Sequence, residues 1–174
     1  MEKQTTFLKE KNKLKKQNNP DKWEIFVDGA SRGNPGPAGA GIYIKHREKD
    51  IFKGGMFLKK KTNNQAEYLA LAIAIFIFKE KFLKKKTIKT QIIITSDSEL
   101  LIKQMTGTYK VKNPILFKIK ILIDSMLENL KYKFKHVLRE KNKIADKLAN
   151  YGIDKQKNIP IKFVKLLEKH EIYI

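Results

Sequence analysis

A helix with almost no polar surface is the strongest constraint that this sequence places on its fold. Within Ala66–Phe78 the only charged residue is Glu67, and every other position is apolar or tyrosine. A helix that is apolar all round must be enclosed by other elements. A chain of 174 residues, of which 41% are hydrophobic, can enclose it within one domain. We predict that this helix is capped by Asn63 or Asn64 and reaches about Lys81.

The remaining hydrophobic patterns predict an α/β fold with the element order βββαβααβαα. A glycine–proline loop, Gly29–Gly39, follows the first strand and a short turn joins the next two, which predicts an antiparallel meander. The apolar run Ile92–Ile94 predicts a buried central strand. This order implies a mixed sheet with helices on its faces. The predicted strands cover about 24–28, 40–46, 50–58, 92–94 and 131–138, and the further helices cover about 98–105, 114–129, 142–154 and a segment that begins at Pro160.

We divide the chain into three parts. Residues 1–22 are polar and lysine-rich, which predicts a flexible tail that holds nucleic acid loosely or serves only solubility. Residues 23–154 form the α/β domain, and residues 155–174 form a helical extension. The longest uncharged apolar stretch, Tyr68–Phe78, is too short to span a bilayer, and the N-terminus lacks the apolar core of a secretion signal. We therefore expect a cytoplasmic protein without membrane association.

The formal net charge of the chain is +20. Nucleic acid is the natural partner of such a chain, because each lysine near a phosphate can release a counterion. A general preference of the host for lysine explains the same charge, since only three of the basic residues are arginine. The sequence has no cysteine and three histidines. Carboxylates would therefore have to hold any metal ion, and oxygen ligands favour magnesium or manganese.

Two aspartates follow predicted strands. Asp28 lies near the carboxyl end of the first strand, where large apolar groups on both faces make an uncompensated charge costly. Asp97 follows Ile92–Ile94, at the usual place for chemistry in an open α/β sheet. Each residue also has a simpler interpretation. Asp28 could form a turn before the next glycine, and Asp97 could cap the following helix together with Ser96 or Ser98.

Two further acids lie near predicted helix starts. Glu67 is the lone charge of the buried helix, and we expect it in the first turn, where the helix dipole favours a negative charge. Alternatively, it is a capping-box glutamate, since Asn64 lies three residues earlier. Asp146 borders the small-residue packing stripe of the helix 142–154. Taken alone, Asp146 is an ordinary surface acid of a first helical turn.

One arrangement accounts for all four acids. Carboxylates that converge on one cleft repel one another and raise each other's pKa values. Divalent cations remove that repulsion, and oxygen ligands suit magnesium. Two such ions about 3.5–4 Å apart can activate a water and stabilise the leaving oxygen of a phosphodiester. A basic protein with an acidic metal cleft is a nuclease or polymerase candidate, and the length of this chain favours a nuclease.

Four motifs occur in the order seen in type 1 ribonuclease H, and the chain resembles that family over residues 23–154. The motifs are Asp28-Gly-Ala-Ser-Arg-Gly-Asn-Pro-Gly36, Thr62-Asn-Asn-Gln-Ala-Glu67, Ser96-Asp97-Ser98 and Asn142-x-x-Ala-Asp146-x-Leu-Ala149. Each motif is weak alone. Four motifs in order, with compatible spacing and a matching order of elements, are specific.

The resemblance implies a ribonuclease H-like fold, in which a five-stranded mixed sheet with three antiparallel first strands is flanked by helices. It implies an endonuclease that cuts the RNA strand of an RNA–DNA hybrid with two Mg²⁺ ions, or Mn²⁺, and leaves 5′-phosphate and 3′-hydroxyl ends. Asp28 and Asp97 would be the principal catalytic metal ligands. Glu67 would hold one ion and position the nucleophile, and Asp146 would complete the second site.

The resemblance also implies that Asn34, Asn64 and Gln65 face the minor groove of the hybrid near the cut. A deoxyribose strand has no 2′-hydroxyl, so neutral amides that donate and accept there can distinguish RNA from DNA. Two simpler interpretations are open: Asn34 is an ordinary loop asparagine, and Asn64 is a helix cap.

The histidine that many family members carry in a mobile loop before the last catalytic aspartate is missing. Here only Arg139–Lys141 separates the last predicted strand from Asn142. His136 lies inside that strand, and we interpret it as structural. Proton handling or product release would then differ from those members.

A second family feature, the basic helical protrusion of some members, is also missing. The stretch Gly107–Asn113 is too short to contain it, and the only tryptophan is Trp23. The available substitutes for binding substrate are Lys110, Lys112, the tail and the run Lys84–Lys86. The last of these is also explained as a solvated helix end.

Two other functions remain as alternatives. One is a non-catalytic nucleic-acid-binding module that kept the fold, although all four acids are present. The other is a related strand-transfer or junction-cutting nuclease, against which the segment from Thr62 to Glu67 argues. In each case we expect a monomer with no obligate protein partner.

Overall fold

The structure is a computed structural model, described here over residues 21–83 and 90–173. Within these ranges the chain forms five strands and five α-helices in the predicted order. The strands are β1 (Asp21–Ser31), β2 (Gly36–His46), β3 (Lys49–Lys61), β4 (Thr90–Ser96) and β5 (Tyr132–His136). The helices are α1 (Asn63–Lys81), α2 (Glu99–Met105), α3 (Pro114–Leu127), α4 (Lys143–Lys155) and α5 (Ile161–Lys169), and a 3-10 turn at Arg139–Lys141 precedes α4.

The strands form one mixed sheet in the order β3-β2-β1-β4-β5. The first three strands pair antiparallel, which confirms the predicted meander. β4 pairs parallel with both β1 and β5. Ile92 and Ile94 of β4 are buried as predicted, but β1, not β4, occupies the centre of the sheet. β1 lies at the centre because it pairs with β2 along one edge and with β4 along the other.

Helix α1 is enclosed, as its sequence predicts. Every residue of Tyr68–Ile75 is buried, because the helix packs on β1 and β2 and is covered by α3. Phe76 contacts Phe163 of α5, with 5.4 Å between the ring centroids. Phe163 and Leu167 are themselves fully buried, so the predicted C-terminal extension contributes to the same core.

The cap of α1 is Thr62, and the prediction of Asn63 or Asn64 is wrong. The Thr62 hydroxyl accepts from the Gln65 backbone N–H, and Gln65 Oε1 accepts from the Thr62 N–H at 3.0 Å. This reciprocal capping box satisfies two backbone donors at once, which a single asparagine cap does not do. The helix therefore begins at Asn63.

Helix α4 packs on the other face of the sheet, where glycines replace side chains. A Cβ on Gly41 of β2 would lie 1.9 Å from the Ala145 carbonyl oxygen, and a Cβ on Gly55 of β3 would lie 2.1 Å from the Leu148 carbonyl oxygen. The backbone of α4 can approach the strands this closely only because no Cβ is present. The glycines thereby fix the height of α4, and of Asp146, above the sheet.

Two predicted segments lie outside the described residues: the basic tail up to residue 20 and the run Lys84–Lys86. Among the helices of the described ranges, none has the length and apolar character needed to cross a bilayer.

Candidate active site

The carboxyl ends of β1 and β4 bring two aspartates to the same edge of the sheet. The two strands are parallel, and Phe26 pairs with Thr95. Asp28 and Asp97 lie two residues further along their chains, and both are half-buried. Asp97 does not cap the next helix, because Ser98 does so by accepting from a first-turn N–H at 3.2 Å.

Glu67 reaches this edge from α1. Asn63 Nδ2 donates to Glu67 Oε1 at 3.0 Å, and Ser98 Oγ donates to Glu67 Oε2 at 2.6 Å. Because α1 begins at Asn63, Glu67 is its fifth residue, and the prediction that it lies in the first turn is wrong. The capping-box interpretation of Glu67 is also wrong, since Thr62 and Gln65 form that box.

Asp146 reaches the cleft from the first turn of α4. Its side chain is half-buried, and Arg139 Nη2 donates to its Oδ1 at 2.7 Å. The Arg139 side chain is 75% exposed, so water screens this ion pair and its effect on stability is small. Arg139 therefore lies at the rim of the cleft and does not close it.

The electrostatics indicate that the four carboxylates share one cleft. Burial, followed by the charges of Asp97, Asp146 and Glu67, raises the pKa of Asp28 to about 7. Burial also raises the pKa of Glu67, and the charge of Asp97 adds to this while the hydrogen bond from Ser98 opposes it. Without a cation, the cleft therefore does not hold four full negative charges at neutral pH.

The donor set of the cleft fits a hard divalent cation. Four carboxylates supply only oxygen atoms, which suit magnesium or manganese, and a cation would relieve the repulsion that raises the pKa of Asp28. In the described ranges, however, no three acidic or histidine side chains are already close enough to ligate one ion. Both oxygens of Glu67 are hydrogen-bonded, and Asp146 is paired with Arg139, so these two carboxylates would have to turn to share an ion. The assignment of metal ligands stays a prediction.

Two further side chains lie against Asp97. Asn142 Nδ2 donates to Asp97 Oδ1 at 2.5 Å. His136 is the last residue of β5, and its Nε2 lies 3.2 Å from the Asp97 backbone oxygen. His136 is exposed and therefore lies at the edge of the cleft, although its position in a strand led us to interpret it as structural.

Residues 26–152 match a family model described as reverse transcriptase-like. The chain is 33% identical to the RNase H1 of the halophilic archaeon Halobacterium salinarum, with a TM-score of 0.70 and coverage of 77% of this chain and 98% of that one. It is 36% identical to LC11-RNase H1, solved in complex with RNA/DNA hybrid, with a TM-score of 0.72 and coverage of 76% and 97%. This chain belongs to the type 1 ribonuclease H family.

Some relatives in the family are much longer. A bifunctional protein of Mycobacterium tuberculosis is 32% identical over 133 residues, which are 75% of this chain and 35% of that protein. A ribonuclease HI of Halobacterium salinarum is 35% identical over 136 residues, which are 74% of this chain and 63% of that protein. The chain thus spans about a third of the first relative and less than two thirds of the second.

The three predicted substrate-facing amides lie around the start of α1. Asn34 and Asn64 are exposed, and Asn34 Oδ1 accepts from the Asn63 backbone N–H at 3.1 Å. This bond joins the loop after β1 to the helix that carries Glu67. The Oε1 of Gln65 is used in the capping box, which leaves its amino group to face a ligand. Their contact with nucleic acid stays a prediction.

Four side chains that contact the predicted site acids were not predicted to do so: Asn63, Ser98, Arg139 and Asn142. Asn63, Ser98 and Asn142 belong to the quoted motifs, and this was the available signal, but all three were interpreted only as helix caps. Nothing in the sequence marked Arg139 as a partner of an acid apart from its position before the last motif. β5 ends at His136 and not at residue 138, so the connection to α4 spans residues 137–142 and contains the 3-10 turn Arg139–Lys141.

Proposed function

We propose that this chain is a divalent-metal-dependent endoribonuclease that hydrolyses the RNA strand of an RNA–DNA hybrid. The observation that carries the proposal is that β1, β4, α1 and α4 bring four acids to one edge of the sheet, close enough for the other three to help raise the pKa of Asp28 to about 7. Clustered, partly buried carboxylates are costly without a counter-charge and are characteristic of functional sites. The relatives named ribonuclease H and the hybrid bound to LC11-RNase H1 support the choice of substrate.

Asp28, Glu67, Asp97 and Asp146 would hold two Mg²⁺ ions, with Mn²⁺ as the alternative. Such ions, when bound, stabilise negative charge that develops on the phosphodiester and make water a stronger nucleophile at neutral pH. Asp28 and Asp97 face one another across parallel strands and serve as the principal ligands. Glu67 is oriented by Ser98 and by Asn63, which suits it to position the nucleophile. The products would carry 5′-phosphate and 3′-hydroxyl ends.

Discrimination between RNA and DNA is assigned to the amides beside the cleft. Asn34 and Asn64 are exposed next to the start of α1, where each can donate and accept hydrogen bonds. Gln65 contributes its amino group. A ribose offers a 2′-hydroxyl in the minor groove and a deoxyribose does not, so these side chains can separate the two strands of a hybrid.

The hybrid is held mainly through its phosphates. The net charge of +20 favours a polyanion, and Lys110 and Lys112 are exposed between α2 and α3. These lysines take the place of the basic protrusion that the family resemblance leads one to look for. We expect the enzyme to act as a monomer.

The test is a cleavage assay with labelled RNA–DNA hybrid, double-stranded RNA and double-stranded DNA in magnesium. Only the RNA strand of the hybrid should be cut, and EDTA should abolish cleavage. Asp97→Asn preserves the volume of the side chain but removes a charged ligand, so it should retain hybrid binding and lose at least about 100-fold in cleavage rate. Asp124→Asn, at an exposed acid paired with Lys120 on α3, is the matched control and should cleave normally.

Three other results of this assay would contradict the proposal or favour another function. Full activity of Asp97→Asn would refute the assignment of the acids. Hybrid binding by the wild type without cleavage in either metal would favour the non-catalytic binding module. Cleavage of branched DNA in place of hybrid would favour the junction-cutting alternative.

A further inference from the structure

Asn142 occupies the N-cap position of α4 but does not cap the helix. No hydrogen bond joins its side chain to the first turn of α4, and the residue is only 1% exposed. Asparagine is favoured at N-caps because its side-chain oxygen accepts from the first turn. The amide of Asn142 is turned instead toward the sheet, which requires a different explanation.

The amide nitrogen of Asn142 makes two hydrogen bonds across the sheet. It donates to the Val27 carbonyl oxygen at 3.0 Å and to Asp97 Oδ1 at 2.5 Å. Both neighbours are acceptors only, so the nitrogen must face them and the oxygen must face away. That oxygen, Oδ1, is buried and has no hydrogen-bond partner. A buried acceptor left unbonded costs free energy, and the chain tolerates this cost to keep the donor on Asp97.

One residue thereby connects three of the elements that carry the acids, through its side chain to β1 and Asp97 and through its backbone to α4. Val27 immediately precedes Asp28 on β1, Asp97 follows β4, and the Asn142 carbonyl accepts from the Asp146 backbone N–H at 3.1 Å. A displacement of Asn142 would therefore be transmitted to three of the four carboxylates. Its chain position, 115 residues from Val27, makes this a purely tertiary contact.

A neutral donor has a specific advantage at this position. A hydrogen bond to a carboxylate is strong and directional because the acceptor is charged. The amide can therefore fix the orientation of Asp97 through one oxygen and leave the other oxygen for a cation. Unlike the Arg139 guanidinium on Asp146, the amide adds no positive charge that would repel the ion.

We infer that Asn142 is a positioning residue that orients the Asp97 carboxylate for divalent-cation binding and keeps β1, β4 and α4 in register around the cleft. This inference rests on the proposed function, because it takes Asp97 to be a metal ligand. Partners that orient a ligand in this way typically contribute 10–100-fold to metal affinity or activity. Asn142 does not itself contact substrate or the ion.

The test is calorimetric titration of Mn²⁺ into the full chain, compared with hybrid cleavage as a function of Mn²⁺ concentration. Asn142→Ala should weaken the Kd for Mn²⁺ by about 10–100-fold and raise by a similar factor the Mn²⁺ concentration needed for half-maximal cleavage. Asn150→Ala is the matched control. It removes an asparagine from the same helix whose Nδ2 donates to the Asp146 backbone oxygen at 3.1 Å, and it should bind Mn²⁺ like the wild type.

Asn142→Asp keeps the shape of the side chain but presents acceptors in place of the donor, and it serves if Asn142→Ala does not fold. A space-filling role predicts that Asn142→Asp restores normal Mn²⁺ affinity and cleavage, and that result would overturn the inference. Equal Mn²⁺ affinity in folded Asn142→Ala and the wild type would overturn it as well. If the wild type bound Mn²⁺ and cut hybrid in those experiments, the proposed function would survive. If the wild type neither bound Mn²⁺ nor cut hybrid, the proposed function and this inference would both be refuted.

Discussion

Replacement of Gly41 by alanine should move the helix that carries Asp146. Gly41 pairs with Asp28 across β1 and β2, and its missing side chain faces α4. A Cβ at this position would lie 1.9 Å from the Ala145 carbonyl oxygen and 2.5 Å from the Ala149 backbone nitrogen. Real Cβ atoms essentially never approach other atoms more closely than 3.0 Å, so the backbone of α4 must withdraw by about 1 Å or more.

Two consequences follow from that displacement. Overpacking a well-packed contact typically costs about 1–3 kcal/mol, and the atoms met here are backbone atoms that cannot rotate away, so we expect about 3 kcal/mol. For a domain of this size that corresponds to a fall in Tm of about 6–12 °C. A misplacement of about 1 Å at a reacting group can cost about 100-fold in rate, and Asp146 adjoins Ala145. Hybrid cleavage should therefore fall by a similar factor at temperatures where the variant is folded.

The assay combines thermal unfolding with hybrid cleavage, and Gly54→Ala is the control. A Cβ on Gly54 would lie 2.7 Å from the Phe52 ring and 3.6 Å from the Met56 methyl group, and an aromatic side chain can turn aside where backbone cannot. Gly54→Ala should therefore lose less stability than Gly41→Ala and keep its activity. A Gly41→Ala protein with the Tm and cleavage rate of the wild type would refute the close approach of α4 to the sheet.

Two further predictions concern the acids and their partners. Burial, followed by the three neighbouring acids, raises the pKa of Asp28 from its ordinary 3.8 to about 7, so the stability that it contributes is complete below about pH 4 and is lost as the pH rises through 7. Asp28→Asn should therefore raise the free energy of unfolding at pH 8 in EDTA by about 1–3 kcal/mol and flatten its decline between pH 4 and pH 7. Urea denaturation at several pH values measures this decline, and the same decline in the variant and the wild type would contradict the prediction. Ser98→Ala removes both the cap of α2 and a donor to Glu67, and should lower the free energy of unfolding by about 1 kcal/mol. Ser98→Thr should recover most of that loss, and equal stability of the two variants would show that the hydroxyl does not stabilise the helix.

The sequence predicts well those elements whose burial follows from a local pattern of apolar residues. The apolar segment Tyr68–Phe78 was predicted as an enclosed helix, and 24–28 was predicted as a strand with large apolar groups on both faces. In the structure the face with Ile25 and Val27 is buried, whereas Phe26 and Asp28 on the opposite face are half-buried. Asp28, Glu67 and Asp97 were identified because each is an acid in an apolar segment or at the end of a strand, whereas Asp146 gained its meaning only together with the other three. The parallel pairing of β1 with β4 brings Asp28 and Asp97 to one edge, whereas Glu67 and Asp146 reach it from α1 and α4.

The starts of helices were harder to predict. Thr62, Asn63 and Asn64 are consecutive residues that can all cap a helix, and local preference does not choose among them. The choice depends on Gln65, whose side chain completes a capping box only with Thr62. Glu67 was placed in the wrong turn for the same reason.

Contacts between distant parts of the chain could not be predicted from local patterns. Asn142 has the residue type and position of a cap, and only the acceptors on Val27 and Asp97, far away in sequence, turn its side chain away from that role. Likewise, Gly41 would be expected from the sequence only to weaken its strand, whereas in the structure it allows the backbone of α4 to pack directly against β2. Both residues act on the cleft through tertiary packing alone.

The most direct test of the central claim is an anomalous difference map from crystals of the wild-type chain grown with Mn²⁺. We predict strong peaks within about 2.0–2.4 Å of carboxylate oxygens of Asp28 and Asp97, with Glu67 and Asp146 turned from their present partners toward the metal. A map at adequate Mn²⁺ concentration with no peak in this cleft, or with manganese bound only at other acids, would contradict it.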